Sequence, residues 1–136
     1  MSFLVDTNVL SELRKAERAN ANVRAWFDGV GEDDLYLSVL VIGELRRRIA
    51  GVAQRDPAAA TALDGWLRAV ISHYAERILD VTVDVAQASG TFNVPDPLPV
   101  VDSLLAATAH VHGLTVVTRN VVDIARTGVP VLDPFA

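Results

Sequence analysis

Five short apolar runs, at residues 3–5, 35–37, 78–81, 115–118 and 129–132, are separated along the chain by stretches with helical periodicity. Strands that alternate with helices rejoin one sheet in parallel, with the helices packed on its faces. The reading is therefore an α/β fold: a three-layer sandwich with a short-stranded parallel central sheet flanked by helices. Residues 7–15 read as a helix capped by Asp6 or Thr7. Residues 22–28 add one or two helical turns, closed by Gly29 and Gly31. Ser38 caps a helix to about residue 53. Asp56-Pro57, a capping residue followed by proline, starts another to about residue 75, and the two long helices form a hairpin. A helix begins at 85–89 and stops near Gly90. Three prolines within Asn93-Val-Pro-Asp-Pro-Leu-Pro99 make a rigid connector. Residues 102–112 form a helix ending at Gly113, whose Ala106, Ala107 and Ala109 predict close approach to a neighbour.

The length of 136 residues implies one domain, residues 1–136, that buries roughly two-thirds of its unfolded surface. No run approaches the roughly 18 uninterrupted apolar residues of a membrane span, and the start of the chain lacks a basic region followed by an apolar stretch. The expectation is a cytoplasmic protein with no membrane partner. Absence of cysteine excludes disulfides, thiolate zinc sites and a cysteine nucleophile. His110 and His112 lie two apart on one helix, so they point apart and cannot chelate one metal. A net charge of −5 offers no global attraction to nucleic acid, so such a partner needs local basic residues or a metal.

Ligands of parallel α/β sheets gather outside the carboxyl ends of the strands, near the reversal of strand order. Asp6 ends the first strand there. Arg119, Asn120 and Asp123 follow the strand that ends in Thr118. Glu44 lies one to two turns into the helix after the second strand, and Asp102 opens the helix after the proline connector. Singly, each acid has a structural explanation. Asp6 and Asp102 sit where a helix wants an N-cap, Glu44 can pair with Arg47 or Arg48 at i+3 and i+4, and Asp123 can be solvated. Converging on one cleft, however, they would repel one another unless a cation compensates, and Mg²⁺ or Mn²⁺ suits oxygen ligands and phosphodiester hydrolysis.

The segments VDTNVLSEL at 5–13, VIGELRRR at 41–48, VVDSLLAATAHVHGLTVVTRN at 100–120 and VLDPF at 131–135 carry a family likeness. In order and spacing the chain resembles PIN-domain proteins, and among them the VapC-type toxin ribonucleases of prokaryotic toxin–antitoxin pairs. The resemblance implies a PIN fold and a Mg²⁺- or Mn²⁺-dependent endoribonuclease. It implies homodimers, and a small cognate antitoxin that blocks the cleft. Asp6 and Asp102 match the family's metal-binding aspartates, and Glu44 its acid on the third helix. Thr7 and Asn8 match polar positions beside the first aspartate, with Thr118 a further supporting polar residue. The family often carries an acid directly after its Thr-Arg pair. Here that position is Asn120, and Asp123, matching another frequent aspartate, can complete the site. Arg14, Lys15, Arg46, Arg47, Arg48 and Arg119 are candidate RNA contacts; a solvated helix face explains the arginine run as well.

Two other classes are weighed against this one. A catalytically silent PIN-like interaction module would share the fold, and Asn120 is its best support. A phosphoryl-accepting receiver-like signalling domain would need paired acids at the first strand end and a lysine after the last strands. Here a single Asp6 is followed by Thr7, and the only lysine, Lys15, lies in the first helix.

Overall fold

The computed structural model describes residues 1–136. Its centre is a sheet of five parallel strands: β1 (Phe3–Val5), β2 (Leu35–Ser38), β3 (Ile78–Leu79), β4 (Thr115–Val117) and β5 (Val131–Leu132), in the order β3-β2-β1-β4-β5. Leu4 pairs with Tyr36 on one side and Val116 on the other. The chain moves outward from β1 to β3, then returns to lay β4 on the opposite side of β1. Strand order therefore reverses between β1 and β4.

Seven helices fill the connections: α1 (Thr7–Leu13), α2 (Ala21–Asp28), α3 (Val39–Ala53), α4 (Pro57–His73), α5 (Val83–Phe92), α6 (Val100–His112) and α7 (Val121–Ala125). Right-handed crossovers in opposite directions put α1 to α4 on one face and α5 to α7 on the other. The packing follows, since α3 lies against α4 and α1, while α6 lies against α5 and α7. Leu4, Leu35, Leu37 and Val116 from the sheet, with Val9, Val41, Leu67 and Leu105 from both helical layers, are fully buried. Each such side chain contributes about 1.5–3 kcal/mol of transfer free energy. Ala106, Ala107 and Ala109 are buried without remainder, as the close approach of α6 requires.

Local chemistry accounts for most helix starts. Ser38 Oγ accepts from Leu40 N at 3.0 Å, Asp56 Oδ1 from Ala59 N at 3.1 Å ahead of Pro57, and Thr82 Oγ1 from Val85 N at 3.2 Å. Asn20 Oδ1 caps α2 through the amides of Asn22 and Val23. Gly113 ends α6 at φ +66°, a left-handed conformation that favours glycine.

Several boundaries differ from the sequence expectation. The first helix ends at Leu13 rather than residue 15, and a 3-10 turn at Ala16–Arg18 follows. The third strand stops at Leu79 and the fifth starts at Val131. α5 runs through Gly90 to Phe92, because a single glycine weakens a packed helix without breaking it. α6 starts at Val100, two residues before Asp102, and the short α7 follows Asn120.

Candidate active site

The N-termini of α1, α3, α6 and α7 all lie at the carboxyl edge of the sheet, where β1 and β4 part. Their aligned dipoles favour negative charge there. Each element delivers a polar side chain to this edge: Asp6 from the end of β1, Glu44 from the second turn of α3, Asp102 from the first turn of α6, and Asn120 and Asp123 from the start of α7.

Asp6 is the anchor, at only 7% exposed. Its Oδ1 accepts from Thr7 N at 2.7 Å, and its Oδ2 accepts from Thr118 Oγ1 at 2.7 Å and Asn8 Nδ2 at 3.4 Å. Thr118, wholly buried, is the hub of this arrangement. While donating to Asp6, its hydroxyl oxygen accepts from Asn8 Nδ2 at 3.1 Å and from Asn120 N at 3.0 Å. Asn8 Oδ1 in turn accepts from Arg119 N at 3.1 Å, so the chain after β4 is tied to the first turn of α1. All donors to the Asp6 carboxylate are neutral. Its hydrogen bonds are satisfied, but its charge is not neutralised.

Glu44 forms neither of the ion pairs that Arg47 and Arg48 could offer. Its Oε1 accepts from Thr7 Oγ1 at 2.9 Å, a contact that joins α3 to the residue beside Asp6. Asp102 is not a helix cap, because α6 begins two residues earlier at Pro99-Val100 and no side chain caps it. Its Oδ2 accepts instead from Asn120 Nδ2 at 2.8 Å. Burial first, then the charges of Asp6 and Asp123, hold the Asp102 carboxyl above the usual carboxylate range; the Asn120 hydrogen bond opposes this, and Glu44 adds to it. The acids thus share one field. No three of them stand in a closed chelating arrangement in this structure, with Glu44 engaged by Thr7 and Asp102 by Asn120. No basic side chain pairs with Asp6, Glu44 or Asp102; Asp123 has Arg126 at 3.8 Å.

Oxygen donors alone, in surplus negative charge, suit a hard divalent cation such as Mg²⁺ or Mn²⁺. The residues present fit such an ion chemically.

The predicted basic residues are differently disposed. Arg46 binds Asp64 at 2.8 Å, Lys15 binds Glu12 at 3.1 Å, and Arg48 donates to Ser11 Oγ at 3.3 Å. The Arg14 guanidinium lies 5.9 Å from the Trp66 ring centre. Arg47 has no ion pair and lines, with Glu44 and Arg48, a surface cleft of about 360 Å³. The Arg119 guanidinium stacks on Phe135 at 3.7 Å. Sequence reading met Phe135 only as the last residue of VLDPF and assigned it no partner, and it passed over the Ser89–Asn93–Ser103 contacts behind Asp102, because nothing in their spacing signals a tertiary partner.

Residues 3–129 match the PIN domain family. The chain belongs to the PIN-domain family, among the VapC-type toxin ribonucleases. It is 33% identical to VapC ribonuclease Y4jK of Sinorhizobium fredii, over 98% of this chain and 97% of the relative. The crystal structure of FitAcB from Neisseria gonorrhoeae superposes with a TM-score of 0.89 and 30% identity, covering 98% of both chains. A toxin–antitoxin complex from Klebsiella pneumoniae contains a chain with a TM-score of 0.72 and 25% identity, again covering 98% of each. The PIN fold, the parallel sheet and the family expectation are thereby borne out. No helix is long and apolar enough to cross a membrane.

Proposed function

We propose that this PIN domain is the toxin of a toxin–antitoxin pair and a Mg²⁺- or Mn²⁺-dependent endoribonuclease acting on cytoplasmic RNA. The observation that carries the reading is a buried Asp6 carboxylate bonded only by neutral donors, beside an Asp102 whose carboxyl is pushed up by burial and by neighbouring acids. Asp6, Asp102 and Glu44 would hold the ion, which when bound supplies charge neutralisation and an activated water for phosphodiester hydrolysis. Thr118 and Asn8 fix the Asp6 carboxylate, and Thr7 fixes both Asp6 and Glu44. Asn120 orients Asp102 through its amide, and because that amide is neutral, Asp123 is the residue that can contribute a fourth negative charge or take a proton.

A small antitoxin with an Arg- or Lys-bearing tail suits the uncompensated carboxylates, since a guanidinium or ammonium replaces the ion's charge without its chemistry. Toxin–antitoxin complexes among the structural relatives support that partner. A homodimer is part of the same reading. The decisive experiment is digestion of end-labelled RNA by the purified chain with Mg²⁺ and with EDTA. Cleavage that requires the ion and stops on adding the cognate antitoxin is expected. RNA left intact at every Mg²⁺ concentration would leave a silent interaction module, the reading that Asn120 favours.

A further inference from the structure

We propose that Arg119 and Phe135 act as one unit, a rigid phosphate-binding fork that grips the RNA backbone beside the carboxylate cluster; the inference rests on the nuclease reading above. Arg119 directly follows Thr118, and its backbone N–H is held by Asn8 Oδ1 at 3.1 Å, so its main chain is locked to the carboxylate cluster. Its guanidinium lies over the Phe135 ring at 3.7 Å. Phe135 is itself held: its N–H donates to Asp133 Oδ1 at 2.9 Å, its carbonyl accepts from Asn22 Nδ2 at 3.0 Å, and its ring packs against the core.

The stacked guanidinium forms no hydrogen bond or ion pair through its side chain. Glu12 feels its charge, but the Glu12 oxygens already serve Lys15 at 3.1 Å and Asn20 N at 2.9 Å. Stacking occupies the face of the guanidinium and leaves its N–H edge free, in the planar geometry that matches two phosphate oxygens. Among the candidate RNA contacts, Arg46, Arg48 and Lys15 are engaged by protein groups, Arg47 has nothing that holds it, and Arg14 lies 5.9 Å from the Trp66 ring; Arg119 alone combines a close aromatic platform with a main chain tied to the carboxylate cluster. On a chain of net charge −5, a phosphate needs such a local cation. The Arg119 side chain is bonded to none of Asp6, Glu44 and Asp102, so the unit acts on binding rather than on the chemical step.

Steady-state cleavage of a short single-stranded RNA in Mg²⁺ tests this, with thermal unfolding of each variant measured alongside. Arg119→Ala is expected to raise KM about tenfold with kcat nearly unchanged. It should also flatten the slope of log(kcat/KM) against log salt by about 0.7, the share of one phosphate contact on a single strand. Phe135→Leu, which keeps an apolar side chain but removes the π face, should raise KM about fivefold, while Phe135→Tyr should stay within about twofold of wild type. A purely structural role for Phe135 predicts the opposite, rescue by leucine. Unchanged KM and salt slope in Arg119→Ala, or a full rescue by Phe135→Leu, overturns the inference while leaving the nuclease reading intact. A wild-type chain that cleaves no RNA overturns both.

Discussion

Asp102 has the least comfortable charge in the molecule. Burial and the carboxylates of Asp6, Asp123 and Glu44 raise its pKa, and only the Asn120 amide works in the other direction. An acid whose pKa is raised on folding binds more protons in the native than in the unfolded state, so metal-free stability falls as pH rises through the ordinary carboxylate range and upward to the folded value. Asp102→Asn keeps an oxygen acceptor for Asn120 and deletes the charge. With EDTA present, the variant is expected to unfold at a higher temperature than wild type at pH 8, and the difference should shrink towards pH 4. Its RNA cleavage should drop at least a hundredfold at pH 8, beyond what losing a supporting hydrogen bond usually costs a metal site. A thermal scan at both pH values checks the first statement, and a wild-type Tm that rises with pH where the variant's does not would contradict it. Asp6 could be recognised in sequence as a strand-end acid because a strand followed by a capped helix announces itself locally. That Asp102 is no cap, and that Glu44 ignores Arg47 and Arg48 for Thr7, depends on partners 18 and 37 residues away, which no local pattern encodes.

The element that sets Asp102 is the entry to α6. Pro99 stands at the capping position without a side-chain hydrogen bond, so the turn is held from behind by Asn93. Its amide donates to Ser89 O at 2.7 Å and to Ser103 Oγ at 2.8 Å, and its Oδ1 accepts from Leu98 N at 2.7 Å; Ser89 and Ser103 share a hydrogen bond of 2.6 Å beneath it. One side chain thus clamps the end of α5, the proline connector and the start of α6, and Ser103 is the neighbour of Asp102. Asn93→Ala leaves the Leu98 amide without its acceptor and removes a donor from Ser103 Oγ and Ser89 O, and should cost about 1–3 kcal/mol in denaturant unfolding. Cleavage should fall with it, and because Asn93 does not touch the cluster, the Mg²⁺ dependence should move more than the salt dependence. Equal stability to wild type would show that the prolines alone hold the connector. Sequence reading identified the prolines as rigid and put the helix start at Asp102, since an aspartate after prolines has the look of a cap. The true start has no cap at all, and a helix end held by tertiary contacts is invisible to a rule built on capping residues. The caps with local donors, Ser38 and Asp56, were legible for the converse reason.

At the scale of the whole molecule, the reversal of strand order between β1 and β4 gathers acids that lie far apart in sequence, and the folded state is where their charges meet. Alternating strands and helices made the parallel sandwich readable, whereas the strand order that creates the cleft had to come from the structure. An ion that bridges these acids binds the folded chain and finds no such site in the unfolded one, so it should stabilise by mass action. At a free Mg²⁺ concentration of 100 times Kd the gain is about 2.7 kcal/mol, which for a chain of this length is about 8 °C in Tm. Asp6→Asn should lose most of that increment, while its own metal-free Tm stays near the wild-type value, because the single amide oxygen can serve Thr7 N or Thr118 Oγ1 but not both, and that lost hydrogen bond offsets the relief of repulsion with Asp102. The comparison to make is Tm against Mg²⁺ concentration for both proteins, with KCl at matched ionic strength as the control for screening. If KCl reproduces the Mg²⁺ curve, the acids respond only to ionic strength and hold no ion. If Mg²⁺ alone raises wild-type Tm, and Asp6→Asn is flat, the ion is bound by the carboxylates at the reversal point.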